Sequence, residues 1–224
     1  VVEPYYVDEH VQLYQGDCRE IDAWLSADVL VTDPPYGMSL RSRWGGDFAD
    51  LEIAGDRDVS VRNAALSAWG QKPALVFGRW SVPRPTATRA LLIWDKGEHT
   101  GMGDLNLPWK PDFEEIYVLG KGFTGKRGSS ILRHLAPPPA KSQGRHHPTE
   151  KPLSVLTTLL GKCPDGVVAD PFAGSGSTLV AAKILGRRAI GVELEEKYCE
   201  VAARRLMQDT LPFDETSVPV RKPS

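Results

Sequence analysis

Disulfide and metal scaffolding are the first things this chain lacks. Its 224 residues include only three cysteines, Cys18, Cys163 and Cys199. Their odd number and scattered spacing argue against both a disulfide framework and a zinc site, so no metal is expected. Cys18 and Cys199 read as small buried hydrophobes. Long apolar runs and a signal-like opening are also missing, which predicts no membrane association and a cytoplasmic location. Neither sign of charge dominates: the net charge is −2 and the pI about 6.2, so global charge gives no pointer to nucleic acid. No Gly-Lys-Ser/Thr is present, which disfavours triphosphate binding of the P-loop kind.

What is present begins with Asp33-Pro34-Pro35-Tyr36, directly after the apolar run Asp28-Val29-Leu30-Val31-Thr32. A buried strand ending in a rigid, polar-tipped turn suits a flat, amino-bearing ring. The carboxylate accepts one hydrogen bond from an NH2 group, the prolines fix the backbone so that a carbonyl accepts a second, and the tyrosine face stacks. Far downstream, Val167-Val168-Ala169-Asp170 leads into Pro171-Phe172-Ala173-Gly174-Ser175-Gly176-Ser177 and a helical pattern. Glycines let backbone N–H groups approach a ligand, and the helix start adds partial positive charge. A further strand ends in Glu193, seventeen residues after Gly176, where an acid in a βαβ unit grips ribose hydroxyls. Leu179 occupies the position of a dinucleotide fingerprint's third small residue, and Asp170 suits an ammonium better than a pyrophosphate. A nucleoside joined to an amino acid fits, and S-adenosylmethionine is such a molecule.

With these motifs in this order, the chain resembles the amino-methylating DNA methyltransferases of the permuted β class, in which Asp-Pro-Pro-Tyr precedes Phe-x-Gly-x-Gly. Gly16-Asp17-Cys18 is similar to that family's acidic contact to the cofactor adenine. His147-Pro148-Thr149-Glu150-Lys151-Pro152 resembles the segment covering the cofactor's methionine end, and Leu92–Gly97 and Phe113–Val118 resemble later strands. The resemblance implies an α/β, Rossmann-like S-adenosylmethionine-dependent fold: a mostly parallel seven-stranded sheet, helices on both faces, and a circularly permuted motif order. It implies cofactor binding at Asp17, Cys18, Asp33, His147, Thr149, Lys151, Asp170, Phe172, Ala173, Gly174, Ser175, Gly176, Ser177, Glu193 and Leu194, and catalysis at Asp33, Pro34, Pro35 and Tyr36. It also implies that the two motif strands lie side by side.

Length and composition fit one domain spanning residues 1–224. Strands are predicted at Val11–Tyr14, Asp28–Thr32, Ala74–Phe77, Ala90–Trp94, Glu115–Leu119, Val167–Ala169 and Ala189–Val192. Helices are predicted at Arg19–Leu25, Val61–Trp69, Leu153–Leu160, Ser177–Leu185 and Glu196–Met207. Inserted DNA-contacting loops are expected at about 37–72, 97–112 and 120–147. Between Gly120 and Lys151 there are seven Lys or Arg against one acid, Glu150, in a stretch rich in glycine and proline. A mobile, positive loop of this kind can track phosphates, which nominates Lys121, Lys126, Arg127, Arg133 and Arg145 for DNA contact; Arg41 and Arg43 join them, and Trp44 in the same run is expected to close over the site.

The expected reaction is methylation of an exocyclic amino group, adenine N6 favoured over cytosine N4 because Asp heads the tetrapeptide. The base would be flipped from double-stranded DNA. A non-catalytic cofactor-binding subunit and a methyltransferase acting on RNA or a protein amide are the alternatives; intact Asp33 and Tyr36 count against the first, and the absence of an Asn-headed tetrapeptide against an amide substrate. Limited surface for groove contact suggests a short recognition site or a homodimer.

Overall fold

A computed structural model describes residues 2–36, 58–97, 105–134 and 150–208. In chain order its elements are β1 (Tyr6–Val7), β2 (Val11–Gln15), a 3-10 turn (Ala23–Ser26), β3 (Val29–Thr32), α1 (Ser60–Trp69), β4 (Ala74–Gly78), β5 (Ala90–Asp95), β6 (Phe113–Leu119), β7 (Ile131–Arg133), α2 (Leu153–Leu160), β8 (Val168–Asp170), α3 (Ser177–Ile184), β9 (Ala189–Glu193) and α4 (Glu196–Met207). They build one sheet in the order β1-β2-β9-β8-β3-β4-β6-β5-β7. The five strands from β2 to β4 are mutually parallel, β6 is antiparallel to both β4 and β5, and β7 is parallel to β5.

Burial explains this order. Every residue of β3, β4 and β8 is buried, as strands covered on both faces must be, and these are the segments that read as unbroken apolar runs. On one face Val29, Val31, Leu75 and Phe77 pack with Leu156, Leu160, Leu179 and Leu206 from α2, α3 and α4. On the other, Leu30 and Val76 pack with Trp24, Ala65 and Trp69 from the 3-10 turn and α1. Trp24 and Trp69 stack with ring centroids 5.8 Å apart.

Two expectations are corrected. The sheet has nine strands rather than seven, because β1 adds an antiparallel edge to β2 and β7 a parallel edge to β5. Strands of two and three residues are too short to show a period. The helix predicted over Arg19–Leu25 is instead a turn followed by the 3-10 segment. Asp17 takes the amide of Arg19 on its side chain and those of Glu20 and Ile21 on its carbonyl, which spends the first turn on a cap.

β3 runs through α1 to β4 on one side, and β8 runs through α3 to β9 on the other. The order therefore reverses between β3 and β8, which are paired directly, Val29 with Val168 and Leu30 with Ala169. In parallel sheets a ligand crevice opens at the carboxyl ends of such a pair.

Candidate active site

Thr32 and Asp170 end the two switch-point strands, and the Thr32 hydroxyl donates to Asp170 Oδ1 at 2.6 Å, fixing the strand ends to each other. Above them lies a cavity of about 260 Å³. It is lined by Asp17 and Cys18 after β2, by Asp33–Tyr36 after β3, by Lys151, by Asp170, Phe172–Ser175 and Ser177 around the glycine loop, and by Glu193 and Leu194 after β9. Two motifs 138 residues apart thus share one wall through the Thr32–Asp170 bond.

Asp33 is held at both oxygens. Tyr36 Oη donates to Oδ1 and Lys151 Nζ donates to Oδ2. Lys151 also approaches Glu114 Oε2 at 3.3 Å, and Lys96 pairs with Glu114 Oε1 at 2.5 Å. The result is an enclosed chain of alternating charge, Asp33, Lys151, Glu114, Lys96, in which the Lys151 side chain is 8% exposed. Glu114 Oε2 is shut off from solvent and meets Lys151 without hydrogen-bond geometry. Burial pushes the Asp33 carboxyl upward from its ordinary value, the Lys151 ammonium opposes that, and the Glu114 charge adds to it. For Glu114, burial is outweighed by Lys151 and Lys96, and its pKa lies below the usual value. Lys151 is disfavoured by burial, yet the two carboxylates hold it charged well above the ordinary lysine range.

The glycine loop is shaped by two left-handed residues. Gly174 has φ +52° and, among the described residues, no atom within 4 Å of where a Cβ would stand, and it lines the cavity. Gly176 has φ +78°, and a Cβ there would meet the Ala202 methyl at 2.8 Å. Gly176 therefore serves packing of α3 on α4 and does not itself line the cavity. Glu193 accepts the Gly174 amide at 2.8 Å and the Glu195 amide at 2.8 Å. Burial raises its pKa despite these bonds. Asp170, buried and accepting the Phe172 amide at 3.2 Å, is pushed up to about 6. Asp17 is engaged by the Arg19 guanidinium, whose Nε lies 2.9 Å from Oδ1. The Cys18 thiol is pushed by burial up to about 11, which leaves it a proton-bearing hydrophobe at neutral pH.

A family model for DNA methylases of the N6/N4 type matches residues 79–204. The Type II methyltransferase M.ScaI of Streptomyces caespitosus is 40% identical over a 268-residue alignment covering 91% of this chain and 84% of that protein. Type II methyltransferase M2.MboI of Moraxella bovis is 40% identical, with 93% of each chain covered. The chain is an N6/N4-type DNA methylase. Among solved structures, the M1.HpyAVI complex with SAM superposes with a TM-score of 0.63 at 22% identity, covering 88% of this chain and 99% of that one. The cytosine-N4-specific PvuII DNA methyltransferase gives 0.66 at 15% identity, covering 94% and 91%. These two likenesses establish the fold of the methylase.

The methylase separates its basic residues into two groups. β6 runs antiparallel, with Leu119 level with Ala74 at the start of β4, so Lys121 follows at the end of the sheet opposite Asp33. Lys126 stays there too, its carbonyl bound by Lys162 Nζ at 2.6 Å just after α2. Lys121, Lys126 and Arg127 thus lie away from the cavity, separated from it by roughly 13 Å of strand. Arg133 ends β7 level with Asp95 at the cavity end, 3.6 Å from that carboxylate and 74% exposed. Residues 120–134 are fixed to the sheet and to Lys162 rather than forming one continuous loop. Arg41, Arg43, Trp44, Arg145, His147 and Thr149 lie outside the described residues.

Sequence reading missed Glu114, Lys96, Glu150 and Arg205. Their roles come from pairings across the fold: Glu114, Lys96 and Glu150 lay inside quoted segments without being singled out, and Arg205 lay in none. Among the described residues no group of three or more His, Cys, Asp or Glu is placed to hold a metal, and no helix is long and apolar enough to cross a membrane.

Proposed function

We propose that this methylase transfers the methyl group of S-adenosylmethionine to the N6 amino group of an adenine flipped out of double-stranded DNA. The observation that carries the reading is the shared cavity: the Asp33 carboxylate and the Gly174 loop face the same space. The residues present suit the cofactor. The open side of Gly174 admits close approach, Glu193 retains lone pairs for ribose hydroxyls, and Asp170 offers a negative charge to an ammonium group. Bound there, S-adenosylmethionine supplies an electrophilic methyl group.

Asp33 and the Pro34 carbonyl then act on the acceptor. An adenine amino nitrogen delocalises its lone pair into the ring, and two acceptors aimed at its hydrogens draw it toward tetrahedral geometry. The Asp33 charge also stabilises positive charge developing on nitrogen. With Lys151 bound to it, Asp33 works as a hydrogen-bond acceptor rather than a strong base, so the amino proton displaced as the N–CH3 bond forms passes on to water. Tyr36, here donating to Asp33, would release that oxygen to stack on an entering base. Incubation with methyl-labelled cofactor and duplex DNA, followed by digestion to nucleosides, tests the reading. Label in N6-methyladenine is expected, and label in N4-methylcytosine would reassign the base.

The DNA-facing rim is the catalytic end of the sheet. Trp80 follows β4 there and is 66% exposed, and Trp109 and Lys110 stand between β5 and β6, Trp109 being 77% exposed. Arg133 completes the rim. Replacing Lys110 and Arg133 by Ala should flatten the log–log salt dependence of DNA binding by about two. The Lys126→Ala, Arg127→Ala pair at the opposite end should leave the slope unchanged, and the reverse pattern would place the duplex elsewhere.

Cofactor affinity should depend on pH through Asp170. If its ionised form meets the ammonium, the affinity is level above the carboxyl's pKa of about 6 and falls about tenfold per unit below it. Calorimetric titration between pH 5 and 8 reads this directly, and a flat profile would remove Asp170 from the contact.

A further inference from the structure

Arg205, near the end of α4, has a side chain only 11% exposed, and its guanidinium spans two segments that the motifs left unconnected. Nη1 donates to the Ser175 carbonyl at 2.7 Å, to Ser175 Oγ at 3.0 Å and to Ser177 Oγ at 3.1 Å. Nη2 pairs with Glu150 Oε1 at 2.5 Å. The residue after Glu150 is Lys151, which holds Asp33. Pro152 follows with φ −61° and ψ 136° and caps α2, which fixes the downstream end of the segment. Consecutive residues thus grip the cofactor loop and the catalytic carboxylate, one through Arg205 and the other directly, with about 3.8 Å between their Cα atoms.

We propose that Glu150 and Arg205 are positioning residues, which couple the glycine loop to Asp33 so that filling the cofactor cavity fixes the catalytic turn. The stability argument for such a pair is weak, since buried ion pairs add little over apolar packing of the same volume. Its geometry is specific: a planar guanidinium serves three loop oxygens and a carboxylate at once, which a lysine ammonium on a flexible stem cannot do. Glu150 borders the cavity, but its carboxylate is committed to Arg205, and its proposed effect on Asp33 runs through the neighbouring Lys151. A displaced Lys151 would leave Asp33 beside Glu114 with its counter-ion misplaced.

The coupling rests on the proposed reaction for its rate effect only, so the test pairs a rate with a measurement that needs no DNA. Hydrogen exchange of peptides covering Val29–Tyr36 should slow when S-adenosylmethionine binds the wild-type protein. In Glu150→Gln, binding of the cofactor should persist within about threefold and the Phe172–Thr178 loop should still be protected, but the Val29–Tyr36 response should be lost. Single-turnover methyl transfer should slow about tenfold. Arg205→Lys should weaken cofactor binding as well as transfer, and the double variant should be no slower in transfer than Arg205→Lys alone, since both act through one link. Glu150→Asp should restore part of the exchange response. If Val29–Tyr36 in Glu150→Gln still responds to cofactor as in wild type, the coupling is wrong. If instead wild type shows the exchange response but transfers no methyl to DNA, the reaction assignment fails and the coupling stands.

Discussion

Asp33→Asn is expected to slow methyl transfer by about 10²–10³-fold, the cost typical of removing one preorganised electrostatic group from an active site. The substitution preserves shape. It removes the charge that would stabilise the positive nitrogen, and it places an amide that can present NH2 toward Lys151, two donors facing each other. The cofactor should still bind, because Glu193, Asp170 and the glycine loop are untouched. Calorimetry with S-adenosylmethionine alongside single-turnover transfer separates the two effects, and a variant that transfers within tenfold of wild type would strip Asp33 of its role. The wild-type rate should carry an acid limb. Transfer needs Asp33 ionised, and burial lifts its pKa, with Lys151 restraining the rise. The rate should therefore fall with decreasing pH at values above the ordinary aspartate range, and Asp33→Asn should lose that limb.

The parts of this site that could be read in the sequence are those where a local pattern carries a chemical requirement. Asp33–Tyr36 and Phe172–Ser177 each follow a buried apolar strand, and the backbone dictates both turns. Their adjacency came from family resemblance, and the β3–β8 pairing supplies it physically. The strands on the central, doubly covered part of the sheet were legible because burial on both faces leaves an unbroken apolar run. β1 and β7 were not, since an edge strand of two or three residues has no period and is specified by its partner. The orientation of β6 was equally hidden. Alternation of apolar residues gives a strand but no direction, and that direction decides whether Lys126 or Arg133 stands at the cavity end of the sheet. Glu114 and Lys96 stand on β6 and just after β5, and look in sequence like solvated charges. Only the return of Lys151 to the same place ties them to Asp33 and so to the cavity. Arg205 is hidden likewise: on an amphipathic helix with Arg204 beside it, nothing local shows that Arg204 pairs with exposed Glu200 while Arg205 turns inward.

Lys151→Met should be the most destabilising single change at this site, by about 2–3 kcal/mol at neutral pH, because it leaves two largely buried carboxylates without the cation between them. For a domain of this size that loss lowers the melting temperature by roughly 10 °C. The pH dependence distinguishes lost charge from lost packing. In the wild type, Glu114 has a depressed pKa, so its pairing stabilises the fold above the unfolded value of 4.5 and is lost as pH falls through the folded pKa. Asp33 runs the other way: its pKa is raised, so its ionisation costs stability as pH climbs from 3.8 through the folded value. Without Lys151, burial and mutual repulsion push both carboxyls upward, and the variant loses stability on ionising each of them. The deficit against wild type should thus be largest near pH 8 and shrink toward pH 4, where protonated carboxyls need no counter-ion. Lys96 remains beside Glu114 and moderates that half of the effect, so most of the deficit should fall on Asp33. Combining Lys151→Met with Asp33→Asn should then recover much of the lost stability while leaving the enzyme inactive. Urea unfolding at pH 5 and pH 8 measures all three proteins, and an equal deficit at both values, unrelieved by the second substitution, would mean that Lys151 contributes by filling space over the Phe77 ring, 5.1 Å from its ammonium, rather than by charge.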